Sequence, residues 1–235
     1  MTSTSKHKTL IQKIWFFLKY FLIGFFTITI LSVLIYRFVP VSLTPLMIQR
    51  AIERKSEGKK GHIKHQWISF NKISPNMVLA AVAAEDNNFT THFGIDEEAV
   101  KKAYEHNKKT RRVRGASTIT QQTCKNVFLW LGRNYIRKGL ELYYTFWVEI
   151  VWGKKRIMEV YLNSIEMGDG IFGVEAASQS YFNKPASRLT AGEAALIAAA
   201  FPNPRKRNPG NPNAYLLHRQ QDILWVMEKL GRIEL

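Results

Sequence analysis

Glu85 and Asp86 end an apolar run, Met77-Val78-Leu79-Ala80-Ala81-Val82-Ala83-Ala84, with two adjacent carboxylates. Phe89, His92 and Gly94 follow in one short loop, and Asp96 closes the segment EDNNFTTHFGID. A carboxylate at the end of a buried helix loses solvation, which raises its pKa and equips it to exchange protons. Neighbouring residues point to different faces of a helix, so Glu85 and Asp86 are not a catalytic pair with each other. A purely solvating role is the plain alternative. Acids are disfavoured at a helix C-terminus, however, and their placement there asks for a reason.

Two further segments could act on an anion. Gly115 to Asn126, GASTITQQTCKN, leads small and hydroxylated residues into a helix bearing Gln121, Gln122, Lys125 and Asn126. Exposed amides at a helix start can hold an anion, and Gln122 and Lys125 share a face at i, i+3. In RNYIRKGLELYYTFWVE, Arg133, Arg137 and Glu141 recur every four residues and line one stripe. Ordinary salt bridging on a solvated face would give the same spacing. Tyr143, Tyr144, Phe146 and Trp147 make this helix too apolar to be fully exposed, so the stripe fits a bound phosphate better.

The elements that must position these groups are helical. From Ser74 onward the alternation expected of strands is scarce. Ser74-Pro75 gives an N-cap followed by proline at the first helical position, and Asp96-Glu97-Glu98 starts a helix with acids at its positive end. Thr118 with Gln121, and Thr190 with Glu193, have capping-box spacing. Tyr135 to Trp152 reads as a long amphipathic helix, Arg156 to Ile165 as another, and Ala214 to Leu230 as a last one stopped by Gly231. The soluble part reads as one mainly α domain without internal repeats.

Before it, residues 1–13 form a short tail carrying Lys6, Lys8 and Lys13, and residues 14–39 are almost wholly apolar. That run is about 33 to 39 Å long as a helix, enough to cross a hydrocarbon core of about 30 Å. Lys19 and Arg37 lie where they can snorkel, and Trp15, Tyr20 and Tyr36 suit the interfaces. No small-residue cleavage site follows, so an uncleaved anchor is expected, with the lysine-bearing tail cytoplasmic. Residues 40–71 read as a linker and entry segment, including the basic stretch Lys59-Lys60-Gly61-His62-Ile63-Lys64-His65, and residues 72–235 as the main domain.

The formal net charge of +16 over 235 residues implies an anionic partner. The single cysteine, Cys124, excludes an internal disulfide and a cysteine-rich metal site. No helix-turn-helix or zinc pattern supports nucleic acid as the partner.

Taken together the segments resemble one family. EDNNFTTHFGID is similar to the first motif, EDxxFxxHxGxD, of the peptidoglycan glycosyltransferases (glycosyltransferase family 51), and GASTITQQTCKN to the second, GxSTxTQQxxKN. Arg137-Lys138-x-x-Glu141 resembles the third. Lys155 to Asn163, running on through Gly168, Gly173-Val174, Ala176-Ala177 and Tyr181-Phe182-x-Lys184, resembles the fourth. Leu189 to Leu196 with Pro202 resembles the fifth. Five motifs in order over about residues 75 to 210 are far more specific than any one alone. One departure is Thr145, where the third motif usually has a smaller residue.

The resemblance implies a lysozyme-like glycosyltransferase domain behind a single transmembrane helix, without a transpeptidase domain; two S-x-x-K matches, at Ser3 and Ser69, lack partner motifs and are read as chance. It implies lipid II as substrate, joined through its 4-hydroxyl to C1 of the growing lipid-linked glycan with inversion, and sensitivity to moenomycin. Glu85 aligns with the catalytic base and Glu141 with the second essential glutamate. Lys125, Arg133, Arg137 and Lys138 would offset the diphosphate, Ser117 and Gln122 would contact substrate, and Asp86, Phe89 and His92 would shape the first-motif loop. Glu141 could orient the cations or hold a divalent metal, magnesium or manganese; no cofactor is otherwise implied. Membrane lipids, and cell-division or penicillin-binding proteins, are the partners it suggests, at the inner membrane with the domain on the periplasmic side. The basic run Lys101 to Arg114 is either a diphosphate-gripping flap or a solvated loop. A lysozyme-like hydrolase, a tethered nucleic-acid binder and a non-catalytic scaffold are the competing classes.

Overall fold

The computed structural model describes residues 3–110, 115–130, 132 and 134–235. It divides into two compact units, Met1–Val39 and Pro40–Leu235.

The first unit is one helix, α1, Ser3–Phe38. It begins ahead of the apolar run because neither proline nor glycine interrupts residues 3–13. Within it Gln12–Phe38, 27 residues containing an 18-residue stretch of mean hydropathy 2.1, is long and apolar enough to cross a membrane. Its hydroxyls turn back on the helix: Thr29 donates to the Phe25 carbonyl at 2.8 Å and Ser32 to that of Thr29 at 2.7 Å. An apolar span needs its polar groups satisfied locally in this way.

The second unit opens with α2, Pro45–Ser56, which has the same N-terminal chemistry as the site helix: Thr44 caps it and proline takes the first turn. Strand β1, Lys64–His65, follows. The segment 40–71 is thus more than a connector. Asn163 holds it from below, accepting from the Ile68 amide and donating to the Ile68 carbonyl, each at 2.9 Å. Arg50 pairs with Glu166 at 2.9 Å and Arg54 with Asp169 at 2.7 Å.

Helices α3 (Pro75–Glu85), α4 (Glu97–Lys109), α5 (Ile119–Phe128) and α6 (Tyr135–Ser164) carry the segments singled out above. Strands β2 (Glu166–Gly168) and β3 (Ile171–Phe172) join β1 in a small sheet of order β1-β3-β2, with β1 parallel and β2 antiparallel to β3. Helices α7 (Val174–Phe182), α8 (Ala191–Ala200) and α9 (Ala214–Leu230) complete the unit.

The core explains the sequence of α3 and α8. Both are apolar around most of their circumference, the mark of a helix covered on all sides. Ala80, Ala81, Ala194, Ala195, Ala198 and Ala199 are almost wholly inaccessible, and their short side chains let α3 pack closely against α8, with α9 alongside both. Both capping boxes form, at Thr118 with Gln121 and Thr190 with Glu193. Each such cap is worth about 1 kcal/mol and fixes where α5 and α8 begin. The two helices read from Tyr135 to Ile165 run on as α6 across a break at Gly153, whose φ of 72° only glycine adopts readily.

Candidate active site

Glu85 is the last residue of α3, and its Oε2 accepts from Gln122 Nε2 of α5 at 2.7 Å. Asp86, the cap of α3, turns the other way, as adjacent residues at a helix end must. Its Oδ1 lies 2.8 Å from His92 Nε2 and its Oδ2 accepts from the Ile119 amide at 2.9 Å. Asp86 therefore ties the loop to the first turn of α5, and His92 serves Asp86. Phe89 fills the space beneath with no exposure. Asp96 caps α4 through the Ala99 amide and receives Asn88 Nδ2 at 2.9 Å. Asp86, Phe89 and His92 are all internal to the loop they hold.

Gly94 is one place where this loop approaches α6 closely. Its φ is 76°, and a Cβ there would stand 2.5 Å from Thr145 Cγ2 and 3.0 Å from Glu149 Cγ. Thr145, the departure from the smaller residue, fits because it faces a glycine and donates its hydroxyl to the Glu141 carbonyl at 2.7 Å. We expect Gly94→Ala to cost about 2 kcal/mol or more, since strained backbone and overpacking act together. Denaturant unfolding would measure it. A change within about 0.5 kcal/mol would show that the loop has room the structure does not display.

Glu85, Asp86, Ser117 and Gln122 line a cavity of about 850 Å³, with Lys102 and His106 of α4 and Arg219 of α9 on its walls. A space of this size accommodates a sugar-sized ligand. Burial holds the Glu85 carboxyl above the ordinary value of 4.5, and the charge of Asp86 adds to this; Gln122, Arg219 and Lys125 pull it down without cancelling the effect.

Lys125, Arg137, Lys138 and Glu141 gather between α5 and α6, outside the cavity lining. Arg137 Nη1 lies 3.4 Å from Glu141 Oε2, and Lys138 pairs with the other oxygen. Arg137 and Glu141 are buried, and among the described residues the Arg137 Nε has no hydrogen-bond partner. Burial, together with the charges of Arg137 and Lys138, lowers the pKa of Lys125, against the opposing pull of Glu141 and Glu85. Three cations thus share one carboxylate in a poorly solvated place, an arrangement that favours an anion. Arg133 lies outside the described residues, as do Arg111, Arg112 and Arg114 of the basic run.

The metal expectation at Glu141 meets a cationic neighbourhood. Both carboxylate oxygens already face positive charge, and among the described residues no group of three His, Cys, Asp or Glu forms a metal donor set. These residues do not fit a divalent ion as they stand.

Sequence reading missed Arg219, which sits more than a hundred residues from Glu85. The signal was present: Leu216, Ile223 and Met227 are the buried stripe of α9, and Arg219 falls within that stripe at i+3 from Leu216. It also missed Glu149 and Lys154, whose contacts are described below.

The Transglycosylase family model matches residues 52–228. Among curated proteins, a biosynthetic peptidoglycan transglycosylase of Bacteroides thetaiotaomicron is 52% identical over 217 residues, covering 92% of this chain and 88% of the relative. Proteins of the same description from Cronobacter sakazakii and Yersinia pseudotuberculosis are 50% and 47% identical, covering 86% and 94% of this chain and 84% and 92% of the relatives. With the match extending from α2 to α9 and spanning every segment of the site, this chain belongs to the transglycosylase family.

Proposed function

We propose that this protein polymerises lipid II into peptidoglycan glycan strands for the cell wall. The observation that carries the reading is the pairing of a partly buried, proton-avid Glu85 in a sugar-sized cavity with a cluster of under-neutralised cations one helix away. Glu85 accepts the proton of the acceptor 4-hydroxyl as its oxygen forms a bond to C1 of the lipid-linked donor. The bond from C1 to the diphosphate oxygen breaks with inversion, and undecaprenyl diphosphate leaves. Lys125, Arg137 and Lys138, with Arg133, meet the negative charge that grows on that leaving group. Glu141 orients Arg137 and Lys138. Ser117 and Gln122, on the cavity wall, contact the sugars, and Gln122 also aims Glu85.

A lipid-linked substrate requires a membrane-facing surface. Helix α1 is long and apolar enough for a span, and Lys6, Lys8 and Lys13 support a reading with its start on the cytoplasmic side of the inner membrane and the domain on the periplasmic side. Phe93, Phe146 and Ile150 are exposed apolar residues at the junction of the loop and α6, and Phe93 meets Phe146 edge-on. Tyr135 and Ile136 are exposed at the start of α6. These groups suit the headgroup layer, where lipid diphosphates lie. The growing lipid-linked glycan is the second substrate, and cell-division or penicillin-binding proteins are the protein partners this role would bring.

The test is incubation of the detergent-solubilised protein with labelled lipid II. Ladders of glycan that form in the presence of penicillin and vanish with moenomycin are the expected result. Folded protein that yields no polymer, or that shortens preformed glycan instead, would overturn the reading.

A further inference from the structure

We propose that Glu149 and Lys154 are a positioning pair that locks the Glu85 loop to both of the helices on which the chemistry depends. The inference rests on the reading of Glu85 as the base and adds two residues that touch no substrate.

The pair lies across the break in α6 at Gly153. Lys154 Nζ donates to the His92 carbonyl at 2.7 Å and to Glu149 Oε1 at 2.8 Å. The same Glu149 oxygen accepts from the Thr120 hydroxyl at 2.6 Å. The ammonium also lies 4.7 Å from the centre of the Phe89 ring, over its face. The Glu149 side chain is 3% exposed and that of Lys154 is 21% exposed.

One ion pair therefore joins three segments. The loop holds Asp86, Phe89 and His92 and begins at Glu85. The first turn of α5 leads to Gln122, the hydrogen-bond partner of Glu85. Helix α6 carries Arg137, Lys138 and Glu141 upstream of the break. Breaking a buried ion pair is costly, but replacing both partners with apolar groups is often neutral, so stability alone is a weak reason for its presence. Its distinguishing property is direction: three donors and acceptors converge from separate chain segments, and each fixes a distance. A base and a leaving-group site on different helices need that constraint, because misplacement by about 1 Å can cost about 100-fold in rate.

The experiment uses full-length Lys154→Met and Lys154→Arg in detergent, with lipid II turnover and hydrogen exchange read in parallel. We expect Lys154→Met to lower kcat by about 100-fold with KM for lipid II within about 2-fold. Lys154→Arg, which can still reach both acceptors, recovers most of the loss. Exchange in residues 88–94 quickens in Lys154→Met while α8 keeps its protection. Wild-type kcat and loop protection in Lys154→Met would overturn the proposal. So would loss of protection throughout, with KM and kcat falling together and no rescue by arginine, because the lysine would then be a fold residue only. Wild-type protein that makes no polymer would sink the glycosyltransferase reading instead, and loop exchange in the variants would still report on the pair.

Discussion

Glu85→Gln is expected to lose about 1,000-fold or more in lipid II polymerisation while remaining at least as stable as the wild type. The two halves of this result have one cause. Glutamine keeps the shape and can still accept from Gln122, but it cannot take the proton of the attacking hydroxyl. Burial raises the folded-state pKa of Glu85, so the native state keeps its proton over a pH window in which the unfolded chain has released it. The stability this group contributes is full below the unfolded value of about 4.3 and is lost as pH rises through the folded value. Once ionised, the wild type carries a poorly solvated charge that the amide does not. Arg219 and Lys125 attract that charge, but the net direction of the shift shows that desolvation wins. Thermal or denaturant unfolding beside the activity assay checks both halves. An inactive variant that is also unstable would mean the carboxylate is needed for the fold.

Glu141→Gln is expected to fail differently. Among the described residues Glu141 is the one carboxylate paired with Arg137 and Lys138, and Arg137 is too buried for water to replace it. Leaving a buried charge uncompensated costs about 3 to 5 kcal/mol; Lys138, nearly half exposed, can swing into solvent, which places the expected loss nearer about 2 to 3 kcal/mol. The pKa of Lys125 falls further, because Glu141 is the leading influence that raises it. Turnover should drop by about 100-fold or more, as expected when a preorganised charge array is disturbed. The distinguishing sign is that inorganic pyrophosphate restabilises Glu141→Gln more than the wild type, since an anion then replaces the missing counter-charge. Arg137→Ala should lose that response altogether. A Glu141→Gln protein of wild-type stability and activity would mean that Arg137 and Lys138 keep their geometry unaided.

These expectations draw on residues that were legible in the sequence to different degrees. Local chemistry was readable. Ser74-Pro75, Asp96, the two capping boxes and Gly231 mark helix ends because their side chains or backbone freedom act within a few residues, and all form as expected. The direction of the Glu85 shift was likewise legible, because a carboxylate closing an apolar helix carries its own desolvation. The sheet was not: strands of two and three residues are too short for alternation to register, and their partners come from distant parts of the chain. Helix α2 was passed over in favour of a linker although Thr44-Pro45 repeats the signature of Ser74-Pro75; the basic stretch after it drew the reading toward solvent. Long-range geometry was the main loss. Arg219 reaches the cavity from α9, and Lys154 reaches His92 from just beyond the break at Gly153. The spacing of α9 puts Arg219 in its buried stripe but does not say what that stripe faces, and nothing in local spacing announces the Lys154 contact.

The claim at the centre of this account is that Glu85 is the base whose proton affinity the fold has raised. The most direct measurement is the pH dependence of kcat for lipid II polymerisation in the wild type and in Arg219→Gln. The account predicts a rate that climbs with pH through a midpoint above 4.5, the ordinary glutamate value. In Arg219→Gln that midpoint moves higher, since a positive charge that favours the carboxylate is gone. A wild-type rate that stays flat while Glu85 titrates, or a midpoint indifferent to Arg219, would contradict it.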